Sequence, residues 1–174
     1  ESLIVNLSAG RLRSDSFSAR IRLGGHEVDR SDIKRVLAAG ARQALAGDRQ
    51  VVHSLPVAFS LDDERGVRER RWMSGDELGV DMHVFSVVSA PLSNSELAVN
   101  RCHLSVERMV ATPYASGLSA LVDDEAEMGA ACIDMGGGTT TLAIFAEGKF
   151  VHADAIAIGG NHVTLDLAKG LSTR

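Results

Sequence analysis

The chain has 174 residues, 45% of them hydrophobic, 24% charged and 4% aromatic, which excludes a disordered tail, a collagen-like repeat and a disulfide scaffold. Lys and Arg number 18 against 23 Asp and Glu, a net charge of −5, and this argues against a surface built for nucleic acid, whose phosphates select a basic face. The two cysteines, Cys102 and Cys132, fit a reducing compartment, and no apolar run approaches the ~20 residues that cross a bilayer.

Leu3-Ile4-Val5-Asn6-Leu7 reads as a short buried strand closed by a turn at Ser8-Ala9-Gly10. The chain opens on Glu1 and enters this strand at once, as a piece of a larger protein would. Residues 18–23 form a second strand stopping at Gly24-Gly25. Ile33, Val36, Leu37, Gly40, Ala41, Ala44 and Leu45 then recur at spacings of three and four behind a cap at Asp29 or Ser31, which predicts a helix ended by Gly47-Asp48. Its apolar stripe reads as core over a sheet. Residues 51–61 are rich in Val, Leu and Phe but contain Pro56, so this strand is an edge or is bent. Residues 62–77 read as a charged loop with Arg68, Arg70, Arg71 and Trp72 close together, and strand pattern resumes over 80–88. Strand, helix, strand, strand is thus one compact unit ending near Val88.

Beyond Pro91 the spacing predicts a helix over 93–103, a strand over 106–111 and a helix over 113–122, an α/β segment. The acidic run 123–127 reads as a linker. Strands over 130–134 and 139–145 are joined by Gly136-Gly137-Gly138, Glu147-Gly148 turns the chain into a strand over 150–158, and Gly159-Gly160-Asn161 opens a last helix.

The chemistry concentrates at the glycine turn. A buried strand delivers Asp134 to its C-terminal edge, and Gly136, Gly137 and Gly138 follow with backbone N–H groups free to face a phosphate. Thr139, Thr140 and Thr141 add hydroxyls. Asp134 suits a hydrated Mg²⁺ or a water near a terminal phosphate, because magnesium keeps most of its waters. No Gly-Lys-Ser or Gly-Lys-Thr enters a helix, as the Walker loop requires, and these glycines precede a strand, unlike those of the dinucleotide fingerprint. The bland reading is a tight hairpin and nothing more. Against it, Gly159 and Gly160 stand one hairpin later at a helix N-terminus, another place where anions settle.

The remaining candidates are weaker. His26, His53, His83, His103, His152 and His162 show no i, i+4 pair, so satisfied or solvated histidines are the default over a metal site. Ser116 lacks the glycine two residues upstream that a nucleophile elbow needs. The arginines between 65 and 71 read as a solvated loop, with an acidic-partner or filament contact as the minority reading, and Trp72 as packing rather than a partner anchor.

Asp134-Met135-Gly136-Gly137-Gly138-Thr139-Thr140 resembles the second phosphate motif of the actin, sugar kinase and heat-shock-70 ATPase superfamily. A longer run resembles the FtsA family of bacterial cell-division proteins, in its alphaproteobacterial wording. The matching residues are Val52-His53-Ser54-Leu55-Pro56, Gly66-Val67, Met73-Ser74-Gly75, Asn100-Arg101-Cys102-His103-Leu104, Ala115-Ser116-Gly117-Leu118 and the stretch from Gly159 to Ala168. The likeness covers essentially the whole chain in collinear order. Arg70 and Trp72 depart from it, standing where the family carries Pro and Gly.

That resemblance implies an α/β chain with an α+β insert: a partial actin-like ATPase fold interrupted by a strand–helix–strand–strand (SHS2, subdomain 1C) domain. Residues 1–9 would be a strand of the first actin-like subdomain, 10–88 the insert, 89–127 the rest of that subdomain, and 128–174 the start of the second. It implies ATP and Mg²⁺, with Asp134 holding the metal through water and Gly136, Gly137, Gly138, Thr139, Thr140, Gly159 and Gly160 around the phosphates. Such binding belongs to the full-length protein and is weak or absent in a segment without the family's first phosphate loop and adenine motif. The family is a weak ATPase at most, and no residue here is assigned a catalytic role. Its members polymerise with themselves, tether FtsZ to the membrane through a C-terminal amphipathic helix, and recruit late division proteins such as FtsN. They do so on the cytoplasmic face of the membrane at the septum. Other readings are another actin-superfamily ATPase (a heat-shock-70-like chaperone, a sugar kinase or a pilus-assembly homologue) or an inert interaction module. Exposed apolar surface is expected wherever strands would be missing.

Overall fold

The computed structural model describes residues 2–8, 11–43, 47–65 and 73–173. Two compact units emerge: Ser14–Ser86, and Glu1–Arg13 together with Val87–Arg174. Strand β1 (Ser2–Leu7) opens the chain. The inserted unit follows as β2 (Arg13–Arg22), α1 (Arg30–Gln43), β3 (Arg49–Leu61), β4 (Glu64–Arg65) and β5 (Glu77–Val88). Its sheet runs β2-β5-β3-β4.

Central β5 buries Leu78, Val80, Met82 and Val84 in a core shared with Val36 of α1, Ala19 of β2, and Phe59 and Leu61 of β3. Helix α1 approaches closely at Gly40, where a Cβ would stand 2.3 Å from the Met82 sulfur. Asp29 is the cap: its Oδ1 accepts from the N–H groups of Ser31 (2.7 Å) and Asp32 (2.9 Å). Among the described residues strand β4 pairs with Ser60 and Leu61 of β3, and Pro56 lies outside that short ladder, in a strand flanked by this two-residue edge. Strand β2 begins five residues before the predicted start. Its polar residues face partners on β5: Ser14 and Ser16 approach the ring of buried His83 (2.5 and 3.3 Å), and Ser18 donates to Asp81 (2.6 Å). The expected loop over 62–77 loses Glu64, Arg65 and Glu77 to strands. Arg68, Arg70, Arg71 and Trp72 lie outside the described residues.

The chain continues as α2 (Ser89–Arg101), β6 (Ser105–Ala111), α3 (Thr112–Ala120), α4 (Asp123–Met128), β7 (Ala130–Met135), β8 (Thr140–Ala146), β9 (Lys149–Ile156) and α5 (Gly160–Gly170). Helix α2 starts four residues earlier than expected because Pro91 falls in its first turn, where a backbone N–H has no helical partner anyway. The predicted acidic linker is the short helix α4. Asp123, Asp124 and Glu125 fill its first turn, where the helix dipole favours anions, and the Glu125 carboxylate accepts from the N–H of Val122 (3.1 Å).

Strands β1 and β6 pair in parallel, and β7-β8-β9 form an antiparallel meander. Alternation along the meander is clean. Ala130, Cys132 and Asp134 lie opposite Phe145, Ala143 and Thr141 on the more buried face, and helix α3 packs on β7, β8 and β9. Phe145 and Phe150 meet edge to face beneath it, with Tyr114 of α3 against Phe150. The other face leaves Ile133 and Met135 exposed, as are Val163, Leu165 and Leu167 of α5.

Candidate functional site

Strand β7 places Asp134 one residue before its end, with Met135↔Thr140 as the last pair of the ladder. The connecting hairpin is closed by a single bond inside it, from the N–H of Gly136 to the Thr139 carbonyl (2.8 Å). Among the described residues, no acceptor takes the N–H groups of Gly137, Gly138 and Thr139, or the Thr139 hydroxyl. Three successive donors therefore remain available at the strand end, an arrangement that suits an anion.

The glycines serve something other than a left-handed turn. None of Gly136, Gly137 and Gly138 has a positive φ, and a Cβ on Gly138 would meet nothing within 4 Å. Packing does not demand glycine at position 138, while a Cβ on Gly136 would stand 3.3 Å from the Thr139 carbonyl and one on Gly137 3.2 Å from Nδ2 of Asn161, both tight. What the absence of a side chain provides is a bare backbone that a ligand can approach closely.

The hairpin is braced from one side. Its carbonyls at Gly136 and Gly137 accept from the N–H groups of Gly160 and Asn161 (both 2.9 Å). A Cβ on Gly159 would stand 2.4 Å from the Gly136 oxygen and 2.7 Å from that of Gly137, so only glycine permits the helix to come this near. The Gly159 N–H donates to Nδ1 of His162 (3.1 Å). The first donors of α5 are thus taken internally, and in this conformation Gly159 and Gly160 shape the hairpin instead of offering N–H groups to an anion. Thr140 likewise directs its hydroxyl to the Ile158 carbonyl (2.7 Å).

Asp134 is half-buried. Its Oδ2 accepts from Ser116 Oγ of α3 at 2.6 Å, while Oδ1 has no hydrogen-bond partner among the described residues. One oxygen is anchored to the protein and the other remains for a ligand or a hydrated cation. No spacing in the sequence links Ser116 to Asp134; the bond follows from the docking of α3 on the sheet. Thr141, directly opposite Asp134, was grouped with its hydroxyl neighbours, but its Oγ1 is buried without a partner. Elsewhere, among the described residues, no three His, Cys, Asp or Glu side chains converge as metal ligands.

This architecture belongs to a known class: a mixed α/β chain with a partial actin-like ATPase fold, into which an SHS2 domain is inserted. A chain of the solved PilM-PilN type IV pilus biogenesis complex superposes with a TM-score of 0.64 at 13% identity, covering 99% of this chain and 47% of that one. Residues 9–86 match the family described as the SHS2 domain inserted in FtsA, and residues 131–174 match the family of the cell division protein FtsA. The FtsA proteins of Rhizobium meliloti (strain 1021) and Agrobacterium fabrum are 66% and 63% identical over all 174 residues. The chain belongs to the FtsA family. It spans 39% of the length of these curated relatives.

Proposed function

We propose that the chain serves bacterial cell division as part of an FtsA-type scaffold, and that its glycine hairpin holds the phosphates of ATP. The observation that carries the nucleotide reading is the run of three N–H groups at Gly137, Gly138 and Thr139, unpaired on a bare backbone one turn beyond Asp134. Gly136, Thr140, Gly159 and Gly160 set the shape of that cradle. Oδ1 of Asp134 is placed to accept from a water of a bound Mg²⁺, which would neutralise charge between phosphate oxygens.

In this reading residues 1–9 and 89–127 belong to one actin-like subdomain, and 128–174 begin a second. The inserted residues 10–88 form a module that meets division partners such as FtsN. Membership of the family further supports self-association into filaments, attachment of FtsZ to the membrane through a C-terminal helix beyond these residues, and a place on the cytoplasmic face of the septum. Calorimetric titration of this chain and its Asp134→Ala variant with ATP·Mg²⁺ tests the nucleotide reading. Saturable binding that the variant loses supports it. No binding by the parent chain overturns it for these residues. The independent core of the unit Ser14–Ser86 then favours the second reading, in which the insert does the work as an interaction module.

A further inference from the structure

We infer that Ser116 and Thr141 are positioning residues for Asp134: the Ser116 hydroxyl holds one carboxylate oxygen directly, and Thr141 reaches the carboxylate through a bound water. The inference rests on the reading of the hairpin as a phosphate and cation site, and names the groups that aim its one acid.

A carboxylate on a single χ2 bond rotates freely unless something holds it, and the 2.6 Å bond from Ser116 Oγ to Oδ2 is a short, charge-assisted one. It comes from α3, which sits on the sheet through the Gly117–Phe145 contact. The clamp is therefore mounted on packed structure and not on the hairpin itself. With Oδ2 engaged, Oδ1 is the oxygen left over, and its direction is set by the same bond.

Thr141 is 2% exposed, and its Oγ1 is buried with no hydrogen-bond partner. Leaving a hydroxyl so is unfavourable, and a valine would fill the same space without that cost. Asp134 is its direct cross-strand partner, on the same face of the sheet, where opposed side chains are near neighbours. A water accepting from Thr141 and donating to the carboxylate satisfies both, as buried waters do between polar groups of this kind.

The test uses this chain, with two readouts that separate the positioning from the nucleotide reading. One is the ¹³Cγ signal of Asp134 by NMR, recorded without ligand. The other is the affinity for Mn²⁺·ATP, followed by the electron paramagnetic resonance of the metal. Ser116→Ala is expected to move the Asp134 signal and to weaken Mn²⁺·ATP about fivefold, the equivalent of one hydrogen bond, and Ser116→Thr to restore both. Thr141→Val is expected to move the same signal without raising the melting temperature, with Thr141→Ser restoring it. An Asp134 signal unmoved by Ser116→Ala overturns the clamp. A Thr141→Val chain that melts higher with that signal unchanged overturns the water bridge, since the hydroxyl is then idle. Signals that move in a parent chain with no affinity for Mn²⁺·ATP uphold the positioning and overturn the nucleotide reading.

Discussion

The ring of Phe145 occupies the space in which a side chain on Gly117 would begin: a Cβ built on Gly117 lies 2.3 Å from Cε2 of that ring and 2.7 Å from Cζ. Gly117 is in the middle of α3, where replacing glycine by alanine ordinarily gains about 0.5–1 kcal/mol. Here the gain is overridden, because Phe145 is buried against Phe150 and has nowhere to retreat. Gly117→Ala is expected to cost about 1–3 kcal/mol by overpacking, read as a lower midpoint in urea. The same variant is expected to lift Ser116 away from Asp134, and under the proposed nucleotide reading to lower the affinity for ATP·Mg²⁺ as well.

Gly159→Ala acts on the hairpin from the other side. The new methyl collides with two backbone carbonyls, which cannot rotate away as a side chain would. Gly159 has an extended φ of −154°, so the effect is one of contact alone. The bonds from Gly160 and Asn161 to the hairpin are expected to open. Hydrogen exchange at those two amides should accelerate by at least about tenfold, the factor that ~1.4 kcal/mol represents, while amides of the inserted unit keep their protection.

Asp62 and Asp63 join β3 to β4 with φ values of 48° and 68°, both in the left-handed region that a two-residue hairpin of the primed type requires. The two are not equivalent. Asp62 Oδ1 accepts from the N–H groups of Asp76 (2.9 Å) and Glu77 (2.8 Å), whereas among the described residues the Asp63 side chain meets Arg20 alone, a pair in which the Arg20 and Asp63 side chains are 55% and 80% exposed, of a kind that contributes little. Asp63→Gly is expected to change the stability of the inserted unit by less than about 1 kcal/mol, because relief of the left-handed φ is offset by the freedom glycine adds to the unfolded chain, and Asp62→Gly to destabilise it by removing an acceptor of two N–H groups. Paired urea melts check the contrast.

Protons act on the inserted unit from both directions. The hydrogen bond from His26 to buried Asp32 (2.9 Å) raises the imidazole above its ordinary value of 6.5. A group raised on folding stabilises fully below its unfolded value, and this contribution is lost as pH climbs through the folded one. Asp29 behaves oppositely. The N–H of Asp32, with help from Ser31, holds it down from 3.8 to about 2. Its contribution is present above 3.8 and lost as pH falls towards 2. His26→Gln is expected to flatten the alkaline side of the melting-temperature profile, and Asp29→Asn the acid side. Profiles of parent and variants that run parallel would refute both assignments.

Much of this protein is written locally. The 3.6-residue recurrence of Ile33, Val36, Leu37 and Gly40 marks α1, and Asp134 followed by three glycines marks the hairpin, because such signals depend on neighbours in the chain. Helix α4 reads as a linker because its acidic residues look solvated by composition, and only their place in a first turn makes them helix-favouring. The parts that aim the site are of another kind. Ser116 and Asp134 are 18 residues apart, and no spacing rule joins them. Thr141 reads as one threonine of three until the ladder sets it opposite Asp134. Gly159 reads as an anion-binding glycine until its distance to the hairpin carbonyls gives it a packing role. Each of these depends on how α3 and α5 dock against the β7-β8-β9 meander. Docking is a property of complementary surfaces brought together across the chain, and a linear pattern records only the surface that each element presents.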